Sequence, residues 1–268
     1  MAEPTPDGQT HGFSVLLWPW MLYLLGRSED AAEFMRRNKV DWHNAKETVR
    51  KICERTPVLG SMVGPAPSAF MDREDMVWTL LSLWMLVGNE DGEISAECFL
   101  AELPPPDKLA RLGLWRNPDG KVMFHPCHQM TLTCLVWPAL ALEMLGAGEA
   151  ALAYARKALD VDQTNGGGSA LLLRTLAHRC CGRLLAAAGK GGMDEARAAF
   201  EAAEAACNLR GYWLLAALAR RDLVEHVLEP SGLLVGGGRE AELAPFVARL
   251  AGPADALAAL LGEGYVLA

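Results

Sequence analysis

The sequence predicts an all-α fold built from helical hairpins, on three observations. Apolar residues recur at helical spacing through most of the text. From Gln129 onward, Gly-containing breaks near 146, 165 to 168, 189 to 192, 231 to 238 and 252 to 253 cut it into pieces of ordinary helix length. One short motif also returns several times along the chain, as expected of stacked helix pairs.

Taken in order, residues 1 to 12 are polar, with Pro4, Pro6 and Gly8, and predict a flexible leader. Order is expected from Phe13. A first apolar helix ends at Leu25-Gly26, and Ser28-Glu-Asp opens a second, with Ser28 as N-cap and acids in its first turn. Asp41 to Arg55 reads as a third helix, broken by Pro57, Gly60, Gly64, Pro65 and Pro67, and Asp72 to Val87 as a fourth. After the turn Gly88-Asn-Glu-Asp-Gly, a short helix from Ile94 to Leu103 is stopped by Pro104-Pro105-Pro106. Residues 104 to 127 are the least regular. Asn117-Pro-Asp-Gly there predicts a small irregular β-hairpin near residues 115 to 125. The expected organisation is thus the leader 1–12, an N-terminal helical region 13–128 and a C-terminal repeat region 129–268.

The recurrent motif appears on laying Leu25 to Arg37 over Leu145 to Lys157, an offset of 120 positions. Leu25 meets Leu145, Gly26 meets Gly146, Glu29 meets Glu149, Ala31 meets Ala151 and Phe34 meets Tyr154. A further copy is Asp194-Glu-Ala-Arg-Ala-Ala-Phe-Glu-Ala-Ala, and a weaker one runs from Glu93 to Phe99. Gly permits the tight turn of a hairpin, Ala lets neighbouring helices approach, and an aromatic fills the remaining gap. The text from 130 to 228 resembles the tetratricopeptide repeat: Ala196, Phe200 and Ala203 stand at that family's second-helix positions, as do Gly146, Ala151, Ala155 and Ala158 with a small residue in the aromatic's place. It departs from the family in lacking the Trp-Leu-Gly signature and the closing Pro, and in a spacing of 45 positions from Ala151 to Ala196. The resemblance implies a right-handed solenoid that binds a peptide or helix of a partner protein.

Composition narrows the function. Of 268 residues 51% are hydrophobic, enough for a sizeable core, and a formal net charge of -8 argues against overall attraction to nucleic acid. Seven scattered cysteines, an odd number, suggest reduced thiols in the cytoplasm. The apolar runs Val15 to Leu25 and Met76 to Val87 fall short of the roughly 20 residues of a spanning helix, so no membrane insertion is expected.

Few side chains suggest chemistry. His125, Cys127, His128 and Cys134 form the densest metal-capable group, with His178 and Cys181 as distant candidates, but they lack a CxxC pair or a standard zinc spacing. The clusters Gly166-Gly-Gly and Gly236-Gly-Gly have no Gly-Lys-Ser ending and read as loops rather than phosphate cradles. No cofactor is implied. An interaction module is therefore favoured over a metal-binding or Cys/His-dependent enzyme and over a structural subunit of a larger assembly. Tyr154, Arg174, His178, Arg183, Tyr212 and Trp213 are the candidate partner-binding residues, since they bring aromatic or basic groups to expected groove positions. The partner is another protein or peptide.

Overall fold

The computed structural model describes residues 94–111, 114–116, 122–124, 128–164, 170–234 and 238–261, with Glu29, Asp30, Glu33 and Ser82 in addition. Where elements run through 111–130, 164, 190 and 250–261, their backbone alone is described. The leader and the helices expected between 13 and 87 lie outside these residues, apart from Glu29, Asp30, Glu33 and Ser82, which are helical. The chain divides into two units, residues 1–147 and 148–268.

In the first unit, Ser95 caps helix α1 (Ala96–Glu102) by accepting a hydrogen bond from the Cys98 amide at 3.2 Å. The helix closes where the Leu103 amide donates to the Phe99 carbonyl. The proline run that ends it also starts the next one. Helix α2 (Pro106–Arg111) opens on Pro106, whose fixed φ and missing N–H suit the first helical position, with Asp107 in its first turn. Strands β1 (Leu114–Arg116) and β2 (Val122–Phe124) pair antiparallel, with Trp115 opposite Met123. Helix α3 (His128–Met144) follows and packs on α2. From Thr131 to Leu142 nearly every α3 side chain is buried, Pro138 included, as befits a helix apolar all round.

The second unit is a run of helices: α4 (Gly148–Thr164), α5 (Leu171–Ala187), α6 (Met193–Arg210), α7 (Trp213–Leu223) and α8 (Gly238–Leu261). Each packs against the next, and each pair runs antiparallel. Side chains that meet show this, because numbers fall on one helix as they rise on the other. Gly148 meets Leu184 and Asp162 meets Arg174 between α4 and α5, while Thr175 meets Cys207 and Gly182 meets Phe200 between α5 and α6. Glu204 meets Arg220 and Cys207 clusters with Ala216 between α6 and α7, and Trp213 meets Arg249 while Arg220 meets Glu242 between α7 and α8. Helix α5 packs on α7 as well, which makes it the central element, buried from Leu173 to Leu185 on most of its surface.

Helices α4 and α6 bury the same face. Ala151, Ala155, Ala158 and Asp162 are buried on α4, and Ala196, Phe200, Ala203 and Cys207, each 45 positions later, on α6. Small residues at these positions let the helices close on α5, and Phe200 fills the space that Gly182 leaves open.

Two breaks differ from expectation. Arg210-Gly211-Tyr212 is a turn the spacing of Gly residues does not single out. Gly211, at φ 73°, occupies the left-handed conformation, and the Tyr212 and Gly211 amides donate back to the Cys207 and Asn208 carbonyls to close α6. Conversely, α8 runs through the expected break at Gly252-Pro253. One missing amide donor there is outweighed by the helical bonds on both sides. Beyond α7 the backbone widens into a π-helical turn, Val224–Leu228, in which the Glu229 amide reaches back five residues to the Val224 carbonyl. Among the described residues, no helix is long and apolar enough to cross a membrane.

A Cβ at position 182 would stand 2.5 Å from the Phe200 ring. Replacing a helical Gly by Ala alone favours folding by ~0.5–1 kcal/mol, but forcing a buried ring aside costs ~1–3 kcal/mol, so the clash decides the sign. Gly182→Ala is predicted to lower the urea midpoint of unfolding, and Gly182→Ala with Phe200→Leu to recover part of that loss. A midpoint that rises in the single variant would contradict this packing.

Candidate functional site

Charged side chains between the helices of the second unit are where the arrangement departs most from an ordinary apolar core. Asp222, 2% exposed, lies at the end of α7. Arg179 grips it with both arms of its fork, Nε to Oδ2 at 2.7 Å and Nη2 to Oδ1 at 3.2 Å. Arg183, one turn further along α5, adds Nη1 to Oδ2 at 3.0 Å, and Arg221 Nη2 stands 4.0 Å from Oδ1. Two residues earlier, Arg220 binds Glu204 of α6 and Glu242 of α8. Both groups tie helix to helix through planar, charge-assisted bonds.

Asp222 also belongs to the one group of metal-capable side chains found among the described residues. Ligand atoms of Asp222, Glu225 and His226 lie within 4.8 Å of one another. Their present partners argue against a cation. Both Asp222 oxygens accept from guanidinium groups, Glu225 pairs with Arg239, and His226 stacks on Phe200 at 6.3 Å. A divalent ion would have to displace those arginines and sit amid their charge. The arrangement is an ionic knot holding α5 to α7.

The six residues expected to bind a partner are dispersed. Tyr154 is buried on α4, and burial pushes its hydroxyl up to about 12, so it stays protonated. Arg174 is bound to Asp162 at 2.5 Å, and Arg183 to Asp222. His178, partly buried one turn after Arg174, is held below the usual histidine value by burial first, then by the Arg174 charge, with Asp162 opposing. Tyr212 is 55% exposed, and Trp213 beside it carries the Arg249 guanidinium over its ring at 4.6 Å. Of these six, Tyr212 presents the most open surface, whereas Arg174 and Arg183 are committed to carboxylates.

Of the metal-capable alternative, His125 and Cys127 lie outside the described residues, as does the side chain of His128 in the first turn of α3. Cys134 is buried in α3, and Cys181 is buried in α5. Cys207, in contact with Thr175 Oγ1 at 3.1 Å, is pushed up by burial, against smaller opposing effects of that contact and of Arg179 and Arg174. A thiol so held is protonated and a poor nucleophile.

What α7 leaves open was not anticipated. Ala216, Ala219 and Leu223 are buried, Trp213 and Arg220 meet α8, and Asp222 meets α5. The remaining stripe, Leu214, Leu218, Arg221 and Glu225 at i, i+4, i+7 and i+11, is partly exposed along its whole length. Leu214 is 38% exposed, and Leu209 and Tyr212, flanking the Gly211 turn, are 86% and 55% exposed. Spacing alone carries a signal for this stripe, but which face of α7 stays open depends on the inward Asp222.

No family model, no curated protein and no solved structure matches the chain.

Two outcomes follow. Asp222→Ala strands Arg179 without its carboxylate in a buried position, which is expected to cost about 3–5 kcal/mol, read as a fall in the denaturant midpoint. Replacing both partners, Arg179→Met with Asp222→Leu, is expected to cost less than the single change, and an equal or larger loss would rule out the pair as described. For His178, the folded state resists a proton that the unfolded chain accepts near 6.5. Stability is therefore lost as pH falls through that value toward the lower folded one. His178→Gln removes this contribution, so between pH 7.5 and 5.5 its stability is expected to fall less than that of the unaltered chain. Equal slopes would show that His178 titrates normally.

Proposed function

We propose that the second unit is a protein-binding module of tetratricopeptide-like helical hairpins, and that the open stripe of α7 receives a peptide or helix of a partner protein. The observation that carries this reading is the stripe itself: Leu214 and Leu218 stay partly exposed on a helix whose other faces are packed, with Leu209 and Tyr212 exposed at the adjoining turn. Apolar side chains lined up at i and i+4 on a firmly held helix offer an anchor surface at low ordering cost, which is what recognition of a peptide or amphipathic helix needs. Support for the repeat reading comes from the matched buried faces of α4 and α6 and from α5 packing on both α6 and α7, as stacked hairpins require. Asp222 and Glu225, in contrast, are engaged by arginines, and the thiols of Cys180, Cys181 and Cys207 are buried. Binding is the reading that uses what the surface leaves free.

Photo-cross-linking tests it. With p-benzoylphenylalanine at position 218 of the full chain in its native cells, a discrete protein adduct is expected. It should be absent with the probe at Ala202, exposed on the outer side of α6, and lost when Leu214→Asp is added. No adduct from position 218, or equal adducts from both positions, rejects this surface as a docking site.

A further inference from the structure

We infer that the segment received by α7 is both apolar and acidic, with a leucine-like side chain at the Leu214 and Leu218 end and a carboxylate at Arg221. This rests on the reading of the stripe as a docking surface and names the chemistry of its occupant. The two ends of the stripe differ in kind. At one, Leu214 and Leu218 are joined by Tyr212 at the turn. At the other, Arg221 keeps 37% of its side chain exposed.

Charge decides what suits that second end. Arg179, Arg183 and Arg221 surround the single carboxylate of Asp222, and Arg179 with Arg183 already makes three hydrogen bonds to its two oxygens. Arg221 reaches it only at 4.0 Å, beyond hydrogen-bond distance. Glu225, the next acid along the stripe, is bound to Arg239. Arg221 is therefore a partly exposed cation that Asp222 does not satisfy, on a chain whose formal net charge is -8. An incoming carboxylate is repelled by most of such a molecule and accepted at this end, which fixes the direction in which a segment lies. An incoming Lys or Arg meets like charge. Seven positions on a helix separate Leu214 from Arg221 by about 10 Å. A segment in the polyproline II conformation turns once every three residues and rises about 3.1 Å per residue, so an apolar side chain and an acid three positions apart share one face and match the two ends.

The test is fluorescence anisotropy on the full-length chain with three labelled twelve-residue peptides, repeats of Leu-Ser-Ser-Glu, Leu-Ser-Ser-Lys and Ser-Ser-Ser-Glu. Leu-Ser-Ser-Glu is expected to bind at least tenfold more tightly than either other, and to weaken several-fold as salt rises. Leu214→Ser with Leu218→Ser should abolish the preference, and Arg221→Glu should transfer it to the Lys peptide. Arg221→Gln, expected to lose the preference without reversing it, serves as a second variant if circular dichroism shows Arg221→Glu unfolded. Equal affinity for the Glu and Lys peptides, or Ser-Ser-Ser-Glu binding as well as Leu-Ser-Ser-Glu, overturns the proposal. So does failure of Leu-Ser-Ser-Glu to bind. A discrete adduct at position 218 together with such a failure leaves protein binding standing and removes only this partner chemistry, whereas absence of both removes the docking reading as well.

Discussion

A buried carboxylate held by two guanidinium groups from one helix sets the geometry of the second unit. Arg179 and Arg183 lie one turn apart on α5 and both reach Asp222, so α7 can neither slide nor rotate on α5 without breaking charge-assisted bonds in a site with little water to replace them. With Asp222 turned inward, helical periodicity assigns every other α7 position. Ala216, Ala219 and Leu223 are buried, Arg220 is placed between Glu204 and Glu242, Trp213 lies under Arg249, and Leu214, Leu218 and Arg221 are left facing outward. The open stripe is thus a consequence of a buried pair.

The apolar interfaces around this knot are built largely from small residues. Ala151, Ala155 and Ala158 on α4, and Ala196 and Ala203 on α6, allow close approach, and their uniform shape discriminates weakly between one helical register and the next. Phe200 against Gly182 is the exception, a large residue seated where no Cβ stands. It fixes α6 on α5 much as the ion pairs fix α7. The π-helical turn serves the same fit: Val224, Val227 and Leu228 remain buried directly after Asp222, and His226 stacks on the Phe200 ring.

The breaks before and after α4 and before α6 were legible in the sequence as Gly residues, whereas the Gly211 turn between α6 and α7 was not singled out and the expected break at Gly252-Pro253 lies inside α8. Ala196, Phe200 and Ala203, which the resemblance to the tetratricopeptide repeat singles out, are buried on α6. The arginines were not legible. Arg174, Arg179 and Arg183 look like the polar stripe of a solvated helix, and nothing local distinguishes an arginine that meets water from one that meets a carboxylate forty residues away. The signal in the text was Asp222, an acid followed directly by Leu223-Val224 on a helix rich in Ala and Leu. A lone carboxylate in such surroundings requires a partner, and the partner is a cation on another helix. Tyr154, expected at a groove position, is buried on α4, where its place in the motif is a packing position.

Ionic and apolar contributions divide the work in a way that bears on function. A buried ion pair adds little net stability compared with a well-packed apolar pair, because desolvating both charges offsets their attraction. Its effect is on which arrangement forms. If apolar packing alone held α5 to α7, registers differing by one turn would remain close in energy, and the stripe carrying Leu214 and Leu218 would be presented in several orientations. Three hydrogen bonds to one carboxylate make a single orientation much the lowest. A surface held in one orientation loses less freedom when a partner docks, so the interaction that fixes the register would also lower the ordering cost of the docking proposed for α7.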